Sequence, residues 1–78
     1  MTRAEVDKWT EDNGGTDRQT LFFNGTRYLF VTLPDKWIAI FADNSGDYIP
    51  CIQAADISRA ESWCSMRERP RVPFNVFQ

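Results

Sequence analysis

The side chains that could do chemistry are few, and they fall into three short stretches. "DNSGD", residues 43–47, offers Asp43, Ser45 and Asp47 as oxygen ligands for a cation. A twelve-residue calcium loop counted from Asp43 would need Gly at its sixth position and Glu at its twelfth. Tyr48 and Ala54 stand there instead, so the stretch reads as a solvated hairpin turn. "RERPRV" sets Arg67, Arg69 and Arg71 two apart, with Phe74 and Phe77 beyond. Arginines among aromatics can grip phosphates and stack on bases. Glu68 interrupts this run, and cations at a helix C-terminus also suit the helix dipole. Asp7, Glu11, Asp12 and Asp17 form a modest acidic group, with Asp7 and Glu11 on one helix face, where a basic partner surface would fit.

Histidine is absent, which removes His-based acid–base catalysis, Ser-His and Cys-His nucleophile pairs and His metal ligands. Cys51 and Cys64 are too few for a four-ligand zinc site and read as core residues. No Ser, Thr, Cys or Lys has an activating partner in the sequence. The chain is therefore expected to have no catalytic residues, no metal and no cofactor.

Composition narrows the partners. Nine Lys plus Arg against eleven Asp plus Glu give a net charge of −2, which argues against direct nucleic-acid binding, since such proteins carry a basic surplus. The N-terminal residues lack the apolar run of a signal peptide, and no stretch approaches the roughly 20 apolar residues of a membrane span. A cytoplasmic protein without a membrane role is expected.

The elements that must position these residues are legible in part. Seventy-eight residues make one domain, residues 1–78, with 14% aromatics to build its core. Thr2-Arg3-Ala4-Glu5 has the form of a capping box opening a short helix, which Asn13-Gly14-Gly15 closes. "LFFNGTRYLFVTL" is a hairpin turning on Asn24-Gly25, with Phe22 opposite Arg27 and Leu21 opposite Tyr28. Pro34-Asp35-Lys36 turns the chain into a second hairpin around "DNSGD". A three-residue Asn44-Ser45-Gly46 loop would pair Asp43 with Asp47, Phe41 with Ile49 and Ala39 with Cys51. Pro50 places the returning strand at an edge or on a bulge. Asp56 caps a helix over 57–68 with Ile57, Ala60 and Cys64 on its apolar stripe, widened by Trp63 and Met66. "RVPFNVFQ" alternates as a last edge strand.

The expected fold is α+β: a four- to five-stranded, mostly antiparallel sheet, made of two hairpins and a C-terminal edge strand, with two short helices. Both faces of both hairpins are apolar. One helix of about ten residues and one of about twelve should cover one face and leave part of the other open, and a leftover apolar patch of several hundred Å² marks a binding site. Trp9, Phe22, Arg27 and Tyr48 are the residue types that dominate interfaces, with Asp7, Glu11, Arg67, Arg69 and Arg71 as charged rim.

The expected function is that of a small stoichiometric inhibitor or adaptor that occludes a larger host protein or protein–nucleic acid complex. By size and composition, not by any motif, it is similar to phage- or mobile-element-encoded anti-host factors such as anti-CRISPR proteins, which act in the host cytoplasm. The alternatives are a small nucleic-acid-binding module using Arg67–Arg71 and a self-associating structural subunit, a homo-oligomer.

Overall fold

The structure, a computed structural model, describes residues 1–66. Helix α1 (Arg3–Asp12) is followed by strands β1 (Asp17–Phe23), β2 (Thr26–Thr32), β3 (Ile38–Asn44) and β4 (Asp47–Ala54), then helix α2 (Ile57–Ser65). The strands form one antiparallel sheet in chain order, β1-β2-β3-β4, the α+β arrangement expected. The anticipated C-terminal strand and Arg67, Arg69 and Arg71 lie outside the described residues.

Local chemistry sets the element ends. The Glu5 amide donates to Thr2 Oγ1 at 3.2 Å, and the Thr2 amide donates to Glu5 Oε1 at 2.8 Å, so two orphan donors of α1 are satisfied reciprocally. At the other end the Asn13 side chain donates to the Trp9 carbonyl at 2.8 Å, and Gly14 turns away with φ +73°. Gly15 then passes so close to α1 and β2 that a Cβ there would stand 2.6 Å from Thr10 Cγ2 and 3.0 Å from Val31 Cγ1. Asp56 caps α2, its Oδ1 accepting from the Arg59 amide at 2.8 Å.

The first hairpin has the expected register. Asn24 and Gly25 take φ +52° and +78°, and Phe23 pairs with Thr26, Phe22 with Arg27 and Leu21 with Tyr28. The second hairpin differs. Its turn has two residues, Ser45 and Gly46, both at positive φ (+53° and +89°), so Asn44 pairs with Asp47 and Asp43 with Tyr48. Phe41 therefore meets Pro50 instead of Ile49, and Ala39 meets Gln53 instead of Cys51. A one-residue shift exchanges the faces of a strand, which puts Tyr48 beside Phe41 and sends Ile49 to the opposite side. The register shift between Ala39 and Phe41 restores the pattern. Cys51 and Ile52 both pack on the side of Ile40, and β4 is, as Pro50 required, both edge strand and bulged strand.

Each sheet face carries one helix. On the α1 side Val6 enters a cluster of Leu29, Val31, Leu33, Ala39 and Phe41, rimmed by Met1, Trp9 and Tyr48. On the α2 side Ala60 and Cys64 pack among Tyr28, Phe30, Ile38, Ile40, Ala42, Cys51 and Ala54. The expected open apolar face is not found among the described residues. Fully buried Ala39, Ala42 and Ala60 keep the layers close, and Trp9 and Trp63 broaden the helices' cover. Four large apolar side chains stay exposed, at separate places: Phe22 near the first turn, Trp37 at the entry to β3, Ile57 at the start of α2 and Met66 at its end. Ile57 and Met66, both expected on the apolar stripe of α2, are among them: Ile57 stands at the first turn and Met66 at the C-cap, past the last residue of the helix.

Candidate functional site

The most exposed sheet aromatic belongs to a continuous row. Phe22, Arg27, Asp43 and Tyr48 are successive register partners across all four strands, on the α1 side near the two hairpin turns. Phe22 is 64% exposed. The Arg27 guanidinium lies over its ring, 5.2 Å from the centroid, a cation–π contact that holds the phenyl group flat beside solvent. Arg27 Nη1 in turn reaches Asp43 Oδ2 at 3.3 Å. Asp43 is the fixed post of the row: its side chain is 6% exposed, and its Oδ1 accepts the Gly46 amide at 2.8 Å. The carboxylate that sequence inspection offered to a cation is thus committed to a turn amide and an arginine. Asp47 pairs with the Met1 amino group at 2.8 Å.

At the β4 end of the row, Arg3 of α1 sits 5.8 Å from the Tyr48 ring centroid. The Tyr48 hydroxyl is 3.5 Å from Arg3 Nη1, at the outer limit of hydrogen bonding. Tyr48 first, and Asp7 after a smaller opposing effect of burial, raise the Arg3 pKa above its ordinary range, so its charge is fixed. Asp7 Oδ1 accepts from Arg3 Nε at 3.2 Å and forms an ion pair with Arg18, whose Nε lies 3.0 Å away, tying α1 to β1. This small circuit holds three guanidinium groups (Arg3, Arg18, Arg27) against two carboxylates (Asp7, Asp43).

The circuit borders a part of the α1 side that the helix leaves bare. Arg18, Thr20 and Phe22, the three residues of β1 on this side, are all exposed, while their β2 partners Leu29 and Val31 are buried. Successive strand residues advance about 3.3 Å, so Arg18 and Phe22 mark the ends of a strip roughly 13 Å long. On the opposite side of β1 a cleft of about 320 Å³ opens beneath the start of α2, with Phe30, Ile38 and Ile57 in its lining and Asp17 and Gln19 at the strand.

Of the residues singled out from sequence, the structure gathers Phe22, Arg27 and Tyr48 into one row and brings Asp7 to its border. Trp9 lies apart. It is half-buried, its ring edge-on to Phe41 at 5.5 Å, and belongs to the α1-side core. Glu11 is exposed on α1. Arg3 and Arg18 were missed as site residues, and Asp43 was read only as part of the "DNSGD" turn. Their signal is cross-strand and cross-layer: Asp43 meets Arg27 only through the β2–β3 register, which the Pro34-Asp35-Lys36 turn does not fix from residue types alone. Cys51 and Cys64 are buried, and the Cys51 thiol donates to the Ile49 carbonyl at 3.4 Å. No group of three or more Cys, Asp or Glu among the described residues is placed to hold a metal ion. None of their helices is long and apolar enough to cross a membrane. Comparison of the chain with family models, curated proteins and solved structures gives no match.

Proposed function

We propose that this chain is a protein-binding module, a stoichiometric inhibitor or adaptor that docks through the flank of β1 and occludes the surface it covers. The observation that supports the reading is Phe22: a phenyl group 64% exposed on a sheet face where Leu29, Val31 and Phe41 are buried. Covering the exposed part of an aromatic that can bury 150–250 Å² removes roughly 100–150 Å² from water, worth about 2.5–4 kcal/mol. Arg27 pre-orders the ring before a partner arrives, which lowers the entropy lost on docking. The surplus of guanidinium over carboxylate around the strip favours a target patch carrying acidic side chains. The target in this reading is a larger protein, or a protein–nucleic acid complex, in the cytoplasm of a host cell, with the chain encoded by a phage or other mobile element. Small size and composition support that last part.

The test is capture of a target by the tagged full chain, followed by titration calorimetry with the purified target. Phe22→Ala should weaken a one-to-one complex by at least about tenfold, since it forfeits more than the 1.4 kcal/mol that a decade represents. Arg27→Ala should weaken it less. A target bound equally well by Phe22→Ala and by the Phe22→Ala/Arg27→Ala double variant removes the β1 flank from consideration.

A further inference from the structure

The two edges of the sheet are treated differently. β4 is blunted three times over. Pro50 has no amide to offer, the bulge opposite Ile40 disrupts its line, and Met1 lies along its outer side. There the Tyr48 amide donates to the Met1 carbonyl at 2.6 Å, and the Met1 amino group donates to the Tyr48 carbonyl at 2.9 Å. β1 has none of these devices. Its seven residues, DRQTLFF, contain no Pro or Gly and pair with β2 in unbroken register. No described residue pairs with its outer side. A regular edge of this length, covered by none of the described residues, is a template for another strand.

We infer that the occupant is a second copy of this chain, paired antiparallel through β1 about a two-fold axis at Thr20. This deepens the docking reading above, on which it rests: the flank that takes a target is capped by a second copy when no target is present. The residues that flank a two-residue hairpin turn exchange hydrogen bonds with one another. Phe23, Leu21 and Gln19 therefore bond to β2, and alternation points the main-chain groups of Arg18, Thr20 and Phe22 outward. Pairing about Thr20 matches outward groups with outward groups over the whole strand. Thr20 exchanges both bonds with its counterpart, and Arg18 does so with the second copy's Phe22.

The side chains agree with that register. The first half of β1 is polar and the second half apolar, and an antiparallel two-fold lays one on the other. On the α1 side, Arg18 comes opposite the second copy's Phe22, an arginine facing an exposed phenyl ring. On the α2 side, Gln19 and Asp17 come opposite the second copy's Leu21 and Phe23, beside the cleft lined by Phe30, Ile38 and Ile57. Neighbouring registers do worse. An axis at Arg18 sets two guanidinium groups directly opposite, which is unfavourable. An axis at Gln19 carries Phe22 beyond the paired segment, and one at Leu21 does the same to Arg18. A single added strand per copy covers less than the roughly 1,600 Å² of a standard interface, so the dimer is weak and a target displaces it.

Sedimentation velocity on the full chain, without any target, tests the inference from micromolar to millimolar concentration. A monomer–dimer equilibrium is expected. Thr20→Pro should weaken it at least about tenfold, since it deletes both symmetry-related donors at the axis. Proline is tolerated at an edge position whose amide faces solvent, and circular dichroism checks that the variant folds. Thr20→Cys should cross-link into a disulfide dimer under mild oxidation, because residues facing each other at a hydrogen-bonded pair lie about 5.5 Å apart. Gln19→Cys should not. A folded chain that stays monomeric throughout, as cover of the edge by residues 67–78 of the same molecule would give, overturns the inference. So does a dimer that Thr20→Pro leaves unchanged. Neither result touches target capture through Phe22, so the two readings fail separately.

Discussion

Asp43 offers a quantitative check on how the candidate site is anchored, because its two carboxylate oxygens do separable work. One accepts the Gly46 amide at 2.8 Å and fixes the second hairpin turn, where Ser45 and Gly46 are both held at positive φ. The other meets Arg27 at 3.3 Å. Asp43→Ala removes both contacts and leaves the Gly46 amide without its acceptor. A hydrogen bond to a charged group contributes about 1.5–3 kcal/mol. The ion pair adds less than about 1 kcal/mol, because the Arg27 side chain is half-exposed and screened. The expected loss is therefore about 2–3 kcal/mol, which lowers the melting temperature of a domain this size by roughly 10–20 °C. Asp43→Asn keeps an oxygen for Gly46 and discards the charge. It should cost only about 1 kcal/mol, or roughly 4–8 °C. Thermal unfolding followed by far-ultraviolet circular dichroism separates the three proteins. If Asn proves as damaging as Ala, the ion pair and not the turn bond holds the row together. If Ala melts within a degree or two of the parent, neither does.

Two further outcomes can be measured on the same footing. Gly15→Ala forces a methyl group to within 2.6 Å of Thr10 and 3.0 Å of Val31, both in or against the α1-side core. It should destabilise the fold by about 1–3 kcal/mol in urea unfolding, whereas Gly25→Ala meets no clash and costs only the strain of an alanine at φ +78°, about 1–2 kcal/mol. Glu5 is held below its ordinary pKa of 4.5, first by the Thr2 amide and then by the Thr2 hydroxyl. A lowered carboxylate pKa means that the ionised form stabilises the folded chain. The stability difference between the parent and Glu5→Gln should be fully present above that ordinary value and vanish as pH falls through the lowered one; a difference that persists into acid would contradict the capping box.

How much the sequence disclosed depends on how local each contact is. Thr2 with Glu5, Asn24 with Gly25, and Asp56 with Arg59 lie within three residues of each other, so residue types alone announced them. The second turn misled because Ser45, an ordinary L-residue, takes the left-handed region that inspection assigned to Gly46 alone. That single dihedral moved the register by one and changed the face of Tyr48, which is why its place in the row with Arg27 was not foreseen. The coverage of the sheet was misjudged for a different reason. Counting helix residues ignores what the strands and ends supply: Met1, Leu33 and Tyr48 help close the α1 side, and buried alanines reduce the area that needs closing. Phe22 opposite Arg27 was legible because one hairpin contains both. Asp7 with Arg18 was not, since it joins two layers.

Strand order in space repeats strand order in the chain, and this governs how the molecule assembles. Among the described residues every strand pairing joins consecutive segments linked by tight reversals, so none of these strands waits for a distant one before it can pair. Such topologies have short closure distances and fold rapidly. The slow element is the return of the first residues to Tyr48 and Asp47, more than forty positions away. A chain interrupted before that return would leave the Tyr48 end of its last strand open to other molecules, with only Pro50 and the irregular stretch beyond it to discourage sticking.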